Sequence, residues 1–350
     1  MKILFKLVFF FIGTSVVFAT NHNGKHTKEK TQQKTVAVNA DATLSVKNKY
    51  GNLMITTWDE DKISIEVVIT VSGDSEKWVD QKLASISVDF SGSNSLYAAE
   101  TFINSNDSYG KNTSMEINYT IKIPKNGSVK LDNKYGNIVL RDLTGKADIT
   151  CKYGRISLGN LKNSSNSIKI DYCPDSTIES INKADIQAKY SGLSIQNYNV
   201  LNLNSSYTDL NFPNGKNLTY QSNYGKINLG KVENVDGKGN YLTIKINEVL
   251  QNLKIATNYS NLTIAAISDK TKDIVIDAGY TNIKINHPSS YYFDFTITTK
   301  YGTFKSNADL TYSSKIQTQN TNSYKGFYKK NGVNQLTISS HYGNINLIQN

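Results

Sequence analysis

Residues 253–264 read LKIATNYSNLTI, and residues 274–285 read IVIDAGYTNIKI. Both stretches hold a tyrosine in one frame: apolar residues six and four positions before it, a small residue two before, and apolar residues three and five after. Around Tyr259 these are Leu253, Ile255, Thr257, Leu262 and Ile264; around Tyr280 they are Ile274, Ile276, Ala278, Ile283 and Ile285. Alternation of period two on each side of the tyrosine predicts two short strands. The parity of the apolar positions changes between the tyrosine and the third residue after it, so the chain turns a corner there.

The same frame recurs at Tyr135, Tyr153, Tyr172, Tyr190, Tyr207, Tyr224, Tyr241 and Tyr301, giving a run spaced by 17 to 21 residues, with outlying copies at Tyr50 and Tyr342. Tyr190 has Ala184, Ile186, Ala188, Leu193 and Ile195; Tyr50 has Leu44, Val46, Asn48, Leu53 and Ile55. The match loosens at Tyr172, where Cys173 and Pro174 follow, and at Tyr241, where Gly237 and Gly239 replace apolar residues. A short fixed period marks a repeat architecture.

Two architectures produce such a repeat. One is an antiparallel meander with a tight hairpin at each corner; the other is a coil whose turns stack on one another. Primed hairpin turns need positive φ at the first loop position, which Thr208, Thr281 and Leu242 disfavour, and Pro174 fixes φ near −65°. The reading is therefore an all-β chain: a single-stranded-type right-handed parallel β-helix, or β-solenoid, with ~18-residue rungs about 4.8 Å apart. Stacking predicts columns of like residues, including an asparagine ladder of Asn223, Asn240 and Asn258. The tyrosines share parity with the apolar positions, which predicts a core or corner stack with hydroxyls reaching the surface.

The expected domain order has four parts. Residues 1–19 read as a signal peptide: Lys2 and Lys6 flank the apolar run Leu7–Phe18, and Val17-Phe18-Ala19 ends in the small-residue pattern of a cleavage site. Residues 20–35 read as a flexible basic leader, with Lys25, Lys28, Lys30 and Lys34 against Glu29. Residues 36–125 hold the first rung and an N-terminal β-rich cap with one short helix, in which Trp78, Val79 and Leu83 follow a Ser75 cap. Residues 126–350 hold the remaining repeats, with one degenerate rung and a loop between Tyr301 and Tyr342.

The formal net charge is +10, and removing Lys2 and Lys6 leaves +8. A basic balance favours glycans, anionic envelope polymers or another envelope protein as partners, or simply solubilises the surface. No nucleic-acid motif is present and no segment after the leader is apolar enough to span a membrane. Localisation is then export to the periplasm or the cell surface.

Searches for chemistry return little. Solenoid enzymes that cut polysaccharides cluster carboxylates on adjacent rungs, but Asp148, Asp185 and Asp236 lie on separated rungs. Asp171 and Asp175 share one rung, as do Asp273 and Asp277, without companions above or below. His22, His26, His287 and His341 show no ligand spacing, so neither a metal nor a cofactor is expected. Cys151 and Cys173 are offset by three residues along the strand, which puts their Cα atoms about 10 Å or more apart, beyond disulfide reach, and predicts two free, mostly buried thiols. The contact loop with most appeal is Ser323–Gly332, where Tyr324, Phe327 and Tyr328 interleave with Lys325, Lys329 and Lys330; a hairpin tip is the plainer reading. As a contact loop, it would lose binding but not thermal stability on replacement of Phe327 and Tyr328.

The repeated steps Asn48-Lys49-Tyr50-Gly51-Asn52-Leu53 and Asn133-Lys134-Tyr135-Gly136-Asn137-Ile138 resemble those of the bacterial putative-adhesin domain family. Trp58 followed by Asp61-Lys62-Ile63-Ser64-Ile65, and Ile121-Lys122-Ile123-Pro124, extend the resemblance over roughly residues 36–350. It implies an exported β-solenoid of Gram-negative bacteria with an adhesive role, and it supplies no catalytic or binding residues. The expected function is a non-catalytic, adhesin-like binding or scaffold module. The alternatives are a polysaccharide lyase or glycosidase, for which Asp171 and Asp175 would be needed, and a periplasmic structural or sensory accessory.

Overall fold

A computed structural model of the chain describes residues 24–104 and 112–350. The signal-peptide reading of residues 1–19 lies outside the described residues. The protein is all-β, 71% strand and 3% helix, with its strands in one open sheet. The alternation seen in the sequence sets the strand faces: in Asp273–Gly279, Ile274, Ile276 and Ala278 are buried while Asp273, Val275 and Asp277 face solvent.

Successive copies of the repeat pair in parallel. Leu253 lies opposite Ile274 and Ile255 opposite Ile276; Leu262 lies opposite Ile283. Ala184 faces Leu201 and Ile186 faces Leu203, and Ile149 faces Ile168. Apolar residues thus sit on apolar residues, and a slip of one position would turn each buried row to solvent. Among the described residues, antiparallel pairs involve only the N-terminal segments and those from Phe293 onward.

The corner differs from expectation in one respect. Positive φ falls on the tyrosine itself, at +49° to +61° in all twelve copies from Tyr50 to Tyr342. The residue after it escapes that conformation, which is why Thr208, Leu242 and Thr281 fit there. Hydrogen bonds to the neighbouring copy hold the turn: the Tyr207 amide donates to the Asn223 carbonyl at 2.9 Å, and the Tyr190 amide to Ser206 at 3.0 Å.

At the N-terminal end, Leu53–Trp58 pairs with Ile138–Leu140 on one side and with Ser114–Pro124 on the other. Lys62–Gly73 then runs antiparallel to Ser114–Pro124. The helix Glu76–Ala84 is capped by the Ser75 side chain, which accepts from the Trp78 amide, and Val79 is fully buried. The expected flexible leader is overturned over its second half: His26–Ala37 is a strand, antiparallel to Lys62–Gly73 along twelve residues. Its side chains are largely exposed and carry no hydrophobic signal; main-chain pairing with an otherwise open edge is what orders it. Lys28 adds ion pairs to Glu76 at 2.9 Å and Asp80 at 2.7 Å.

At the C-terminal end, chain order and spatial order part company. Gln335–His341 lies between Asp273–Gly279 and Phe293–Lys300, parallel to both. Ile345–Gln349 likewise lies between Asn282–His287 and Phe304–Ser306. The last copy is therefore an inner layer, and the Tyr301 copy is the outer one. Thr321–Tyr328 covers that outer copy antiparallel to Phe293–Lys300, and Leu310–Gln317 follows as the edge, with a register shift between Tyr312 and Ser314 that discourages further pairing.

His287 marks this end of the core. It is fully buried, edge-on to Phe293 and Tyr328 with ring centres 5.2 and 5.1 Å away. Its Nδ1 lies 3.1 Å from the Pro288 carbonyl. Burial lowers its pKa below the ordinary 6.5, and the charge of Lys329 acts in the same direction. The unfolded chain then binds the proton more readily, so stability from the neutral imidazole is complete above about pH 6.5 and is lost as pH falls toward the depressed folded value. In His287→Phe, the loss of melting temperature between about pH 7.5 and pH 5 should shrink relative to wild type. An equal loss in both proteins would remove His287 from the acid response.

Candidate functional site: an exposed tyrosine ladder

Positive φ at the corner turns the Cα–Cβ bond of each tyrosine outward. The rings form one stack in the order Tyr50, Tyr135, Tyr153, Tyr172, Tyr190, Tyr207, Tyr224, Tyr241, Tyr259, Tyr280, Tyr342 and Tyr301. Ring centres are 4.7–5.1 Å apart and planes lie within 15° of parallel. From Tyr135 onward each tyrosine residue is 41–51% exposed. The core alternative for this column is overturned, because parity holds only through extended backbone and the positive φ breaks it. The small residue two positions earlier lies under the corner instead: Asn133, Cys151, Ser205 and Thr257 are all buried. Most of their polar atoms find partners there, as when Asn133 Nδ2 donates to the Gly51 carbonyl at 2.9 Å and Ser205 Oγ to Ser222 Oγ at 2.8 Å, while Asn133 Oδ1 is buried without one.

Stacking decides what the ladder presents. Each inner ring has both faces covered by its neighbours, so a sugar cannot lie flat on it as it would on an isolated aromatic side chain. Ring edges and phenol hydroxyls remain, in a continuous row with the strand spacing. The residue just before each tyrosine forms the adjoining row. Lys49, Lys134, Lys152 and Lys189 make it basic toward one end, with Lys134 Nζ 4.8 Å from the Tyr135 ring centre and 5.8 Å from that of Tyr153. Asp171 interrupts this run and lies 3.6 Å from Lys152 Nζ.

Farther along, the expected asparagine ladder is present. Asn240 Nδ2 donates to Asn223 Oδ1 at 3.4 Å, and Asn258 Nδ2 to Asn240 Oδ1 at 3.0 Å. A second asparagine column escaped the sequence reading: Asn199 donates to Asn182 at 3.0 Å, Asn234 to Asn217 at 3.0 Å and Asn252 to Asn234 at 2.7 Å. Its spacing is that of the tyrosines, a signal that was available. Beside it lies a shallow hollow of ≈ 370 Å³, lined in part by Asp236, Lys254 and Asp273.

The predicted contact loop is strand over its first six residues and non-strand from Lys329 to Gly332. Tyr324, Lys325, Phe327 and Tyr328 lie in the strand Thr321–Tyr328. Tyr324 and Tyr328 are buried, at 6% and 1% exposure, and Tyr328 Oη donates to Gln349 Oε1 at 2.8 Å. Phe327 is half-buried, whereas Lys325 and Lys330 are exposed. Lys329 Nζ donates to the Ser289 carbonyl at 2.8 Å. The aromatics pack against Phe293, Phe304 and Tyr312, so replacing Phe327 and Tyr328 together would cost stability, contrary to the sequence expectation.

The carboxylates stay dispersed. Asp171 is engaged with Lys152, and Asp185 accepts from Asn202 Nδ2 at 2.8 Å. Among the described residues no group of three or more His, Cys, Asp or Glu is placed to hold a metal ion, and no helix is long and apolar enough to cross a membrane.

No protein-family model and no curated protein matches the chain. Several solved structures do, with high probability and over most of the chain. One is a putative cell adhesion protein from Clostridium sporogenes, 15% identical, covering 92% of this chain and 100% of its own, with a TM-score of 0.20. Another is a putative adhesin from Bacteroides fragilis, 10% identical, covering 92% and 97%, with a TM-score of 0.31. A third, a putative adhesin from Parabacteroides merdae, is 10% identical and covers 93% and 97%, with a TM-score of 0.26. At these identities and scores, function has to be read from the residues of this chain.

Proposed function

We propose that this is an exported, non-catalytic, adhesin-like protein: a right-handed parallel β-helix that uses its tyrosine ladder to hold an extended partner. The parallel registers between copies support the coil, and the segments on either side support an N-terminal cap before the repeats. Residues 1–19 act as the export signal in this reading. The partner is a linear anionic polymer of the cell envelope or an acidic glycan, lying along the phenol row with the adjoining lysines facing its charges.

The single observation that carries the proposal is the choice of residue at the corner. A left-handed backbone costs a non-glycine residue roughly 1 kcal/mol or more, and asparagine or glycine adopts it most cheaply. Ring stacking returns about 0.5–1.5 kcal/mol per pair. The two terms nearly cancel, so stability alone gives no reason for tyrosine at all twelve corners. An unbroken exposed aromatic strip is the kind of surface that serves contact.

The test is Tyr135→Asn, Tyr153→Asn and Tyr190→Asn combined, the tyrosines that follow Lys134, Lys152 and Lys189. Asparagine tolerates the corner backbone, so the melting temperature should stay within a few degrees of wild type. Binding to immobilised polygalacturonate or chondroitin sulfate should fall at least about tenfold, which is about 1.4 kcal/mol. Undiminished binding by the folded variant would eliminate the ladder as the contact surface.

A further inference from the structure

The chain has two cysteines, and the corner geometry bears directly on them. In a straight strand they would be far apart, since Cys151 pairs with Ile170 and Cys173 lies three residues on. Between them, however, Tyr172 has φ +52° and turns the chain inward. Cys173 Sγ consequently lies 3.3 Å from the Cys151 carbonyl oxygen and 3.3 Å from that of Asp171. Cys151 Sγ lies 3.6 Å from the Gly136 carbonyl. Both are buried and free. The expected separation of about 10 Å is therefore overturned, because it took the strand as extended through the tyrosine.

This approach is a general property of the corner. The residue after a tyrosine reaches the residue two before the tyrosine of the preceding copy, as when Thr208 Oγ1 donates to the Ala188 carbonyl at 3.2 Å. Elsewhere the pair is Ile170 with Ser191, Ala188 with Thr208, or Ser222 with Leu242. Both cysteines of the chain fall on one such pair. A cysteine that merely filled space would not need its only counterpart at the one position it can reach in the next layer.

We infer that Cys151 and Cys173 are a cross-linking site, oxidised to a disulfide that ties two adjacent layers when the chain folds in the presence of a disulfide oxidant such as oxidised glutathione or a dithiol–disulfide oxidoreductase. The Cys173 thiolate attacks one sulfur of the oxidant, giving a mixed disulfide and releasing one thiol. Cys151, deprotonated, attacks the Cys173 sulfur and releases the second. The two cysteines lose two electrons and two protons, and the oxidant's disulfide becomes a dithiol. Burial of both sulfurs means that exchange precedes closure of the layers.

The experiment refolds the full chain in a glutathione redox buffer and counts thiols after denaturation. Wild type should show no free thiol and a peptide joining Cys151 to Cys173, two hydrogens lighter than the reduced pair. Reduction should lower its melting temperature by several degrees. Cys151→Ser keeps the corner residue type found at Ser205 and Ser222, so that variant should fold, retain one free thiol and show no response to reductant. Two free thiols in the correctly folded wild type, or a linkage only between separate chains, would overturn the inference. Neither result depends on what the tyrosine ladder binds.

Discussion

Gly237→Ala is expected to destabilise the protein by about 3 kcal/mol, far more than an added methyl group costs at a site with room. A Cβ on Gly237 would lie 2.1 Å from Cζ and 2.5 Å from the hydroxyl of Tyr220. Tyr220 is buried, and its ring occupies the place where the next layer offers only hydrogen. The same arrangement recurs at Tyr198, which lies opposite Gly215 and would come within 1.8 Å of a Cβ there. Since the clash is with one ring, Tyr220→Leu should restore most of the loss in the double variant. A chemical denaturation cycle measures this coupling; additive losses would mean that the ring and the glycine are independent.

The second large effect concerns the inner position of the last copy. A chain ending at Asn334 should lose its C-terminal end as a folded unit. The missing residues include Leu336, Ile338, Ile345 and Leu347, each no more than 1% exposed, worth on the order of 6–12 kcal/mol of burial before entropy is subtracted. Removing them also opens facing edges on Asp273–His287 and Phe293–Ser306 and leaves Tyr328 Oη without Gln349. Hydrogen exchange should show protection lost from about residue 273 through 328 and retained in the layers before Tyr259, because layered proteins transmit stability mainly between neighbours. Full protection of Phe293–Lys300 in the shortened chain would contradict the spatial order. An inner layer that follows the outer cap in the sequence also means that the cap cannot seat before residues 335–349 have been made.

Much of this fold was legible. Leu253, Ile255, Leu262 and Ile264 gave the strand faces, Asn223, Asn240 and Asn258 their column, and Ser75 the start of the helix. Even Gly237 was visible as a break in the apolar pattern, although its cause is a ring one layer away that no local reading registers. The orientation of the tyrosines was hidden because tyrosine is not a residue that signals positive φ; parity then carried it to the wrong side. One conformational fact therefore concealed the ladder and also the meeting of Cys151 with Cys173. His26–Ala37 was missed for another reason: it is ordered by main-chain pairing and buries almost nothing. The aromatics of 324–328 suggested contact, whereas their neighbours Phe293 and Phe304 come from strands that sequence alone does not bring together.

Spin labels at Lys130 and Thr219 give the most direct test of the layered arrangement that puts twelve tyrosines in one row. Both positions are exposed, and five parallel pairings lead from one to the other through Asp148, Ser167, Asp185 and Asn202. Dipolar spectroscopy should find the two backbone positions about 24 Å apart, one strand spacing per copy. A distance near 48 Å, two strand spacings per copy as in an antiparallel meander, would contradict the stacked arrangement and the ladder with it.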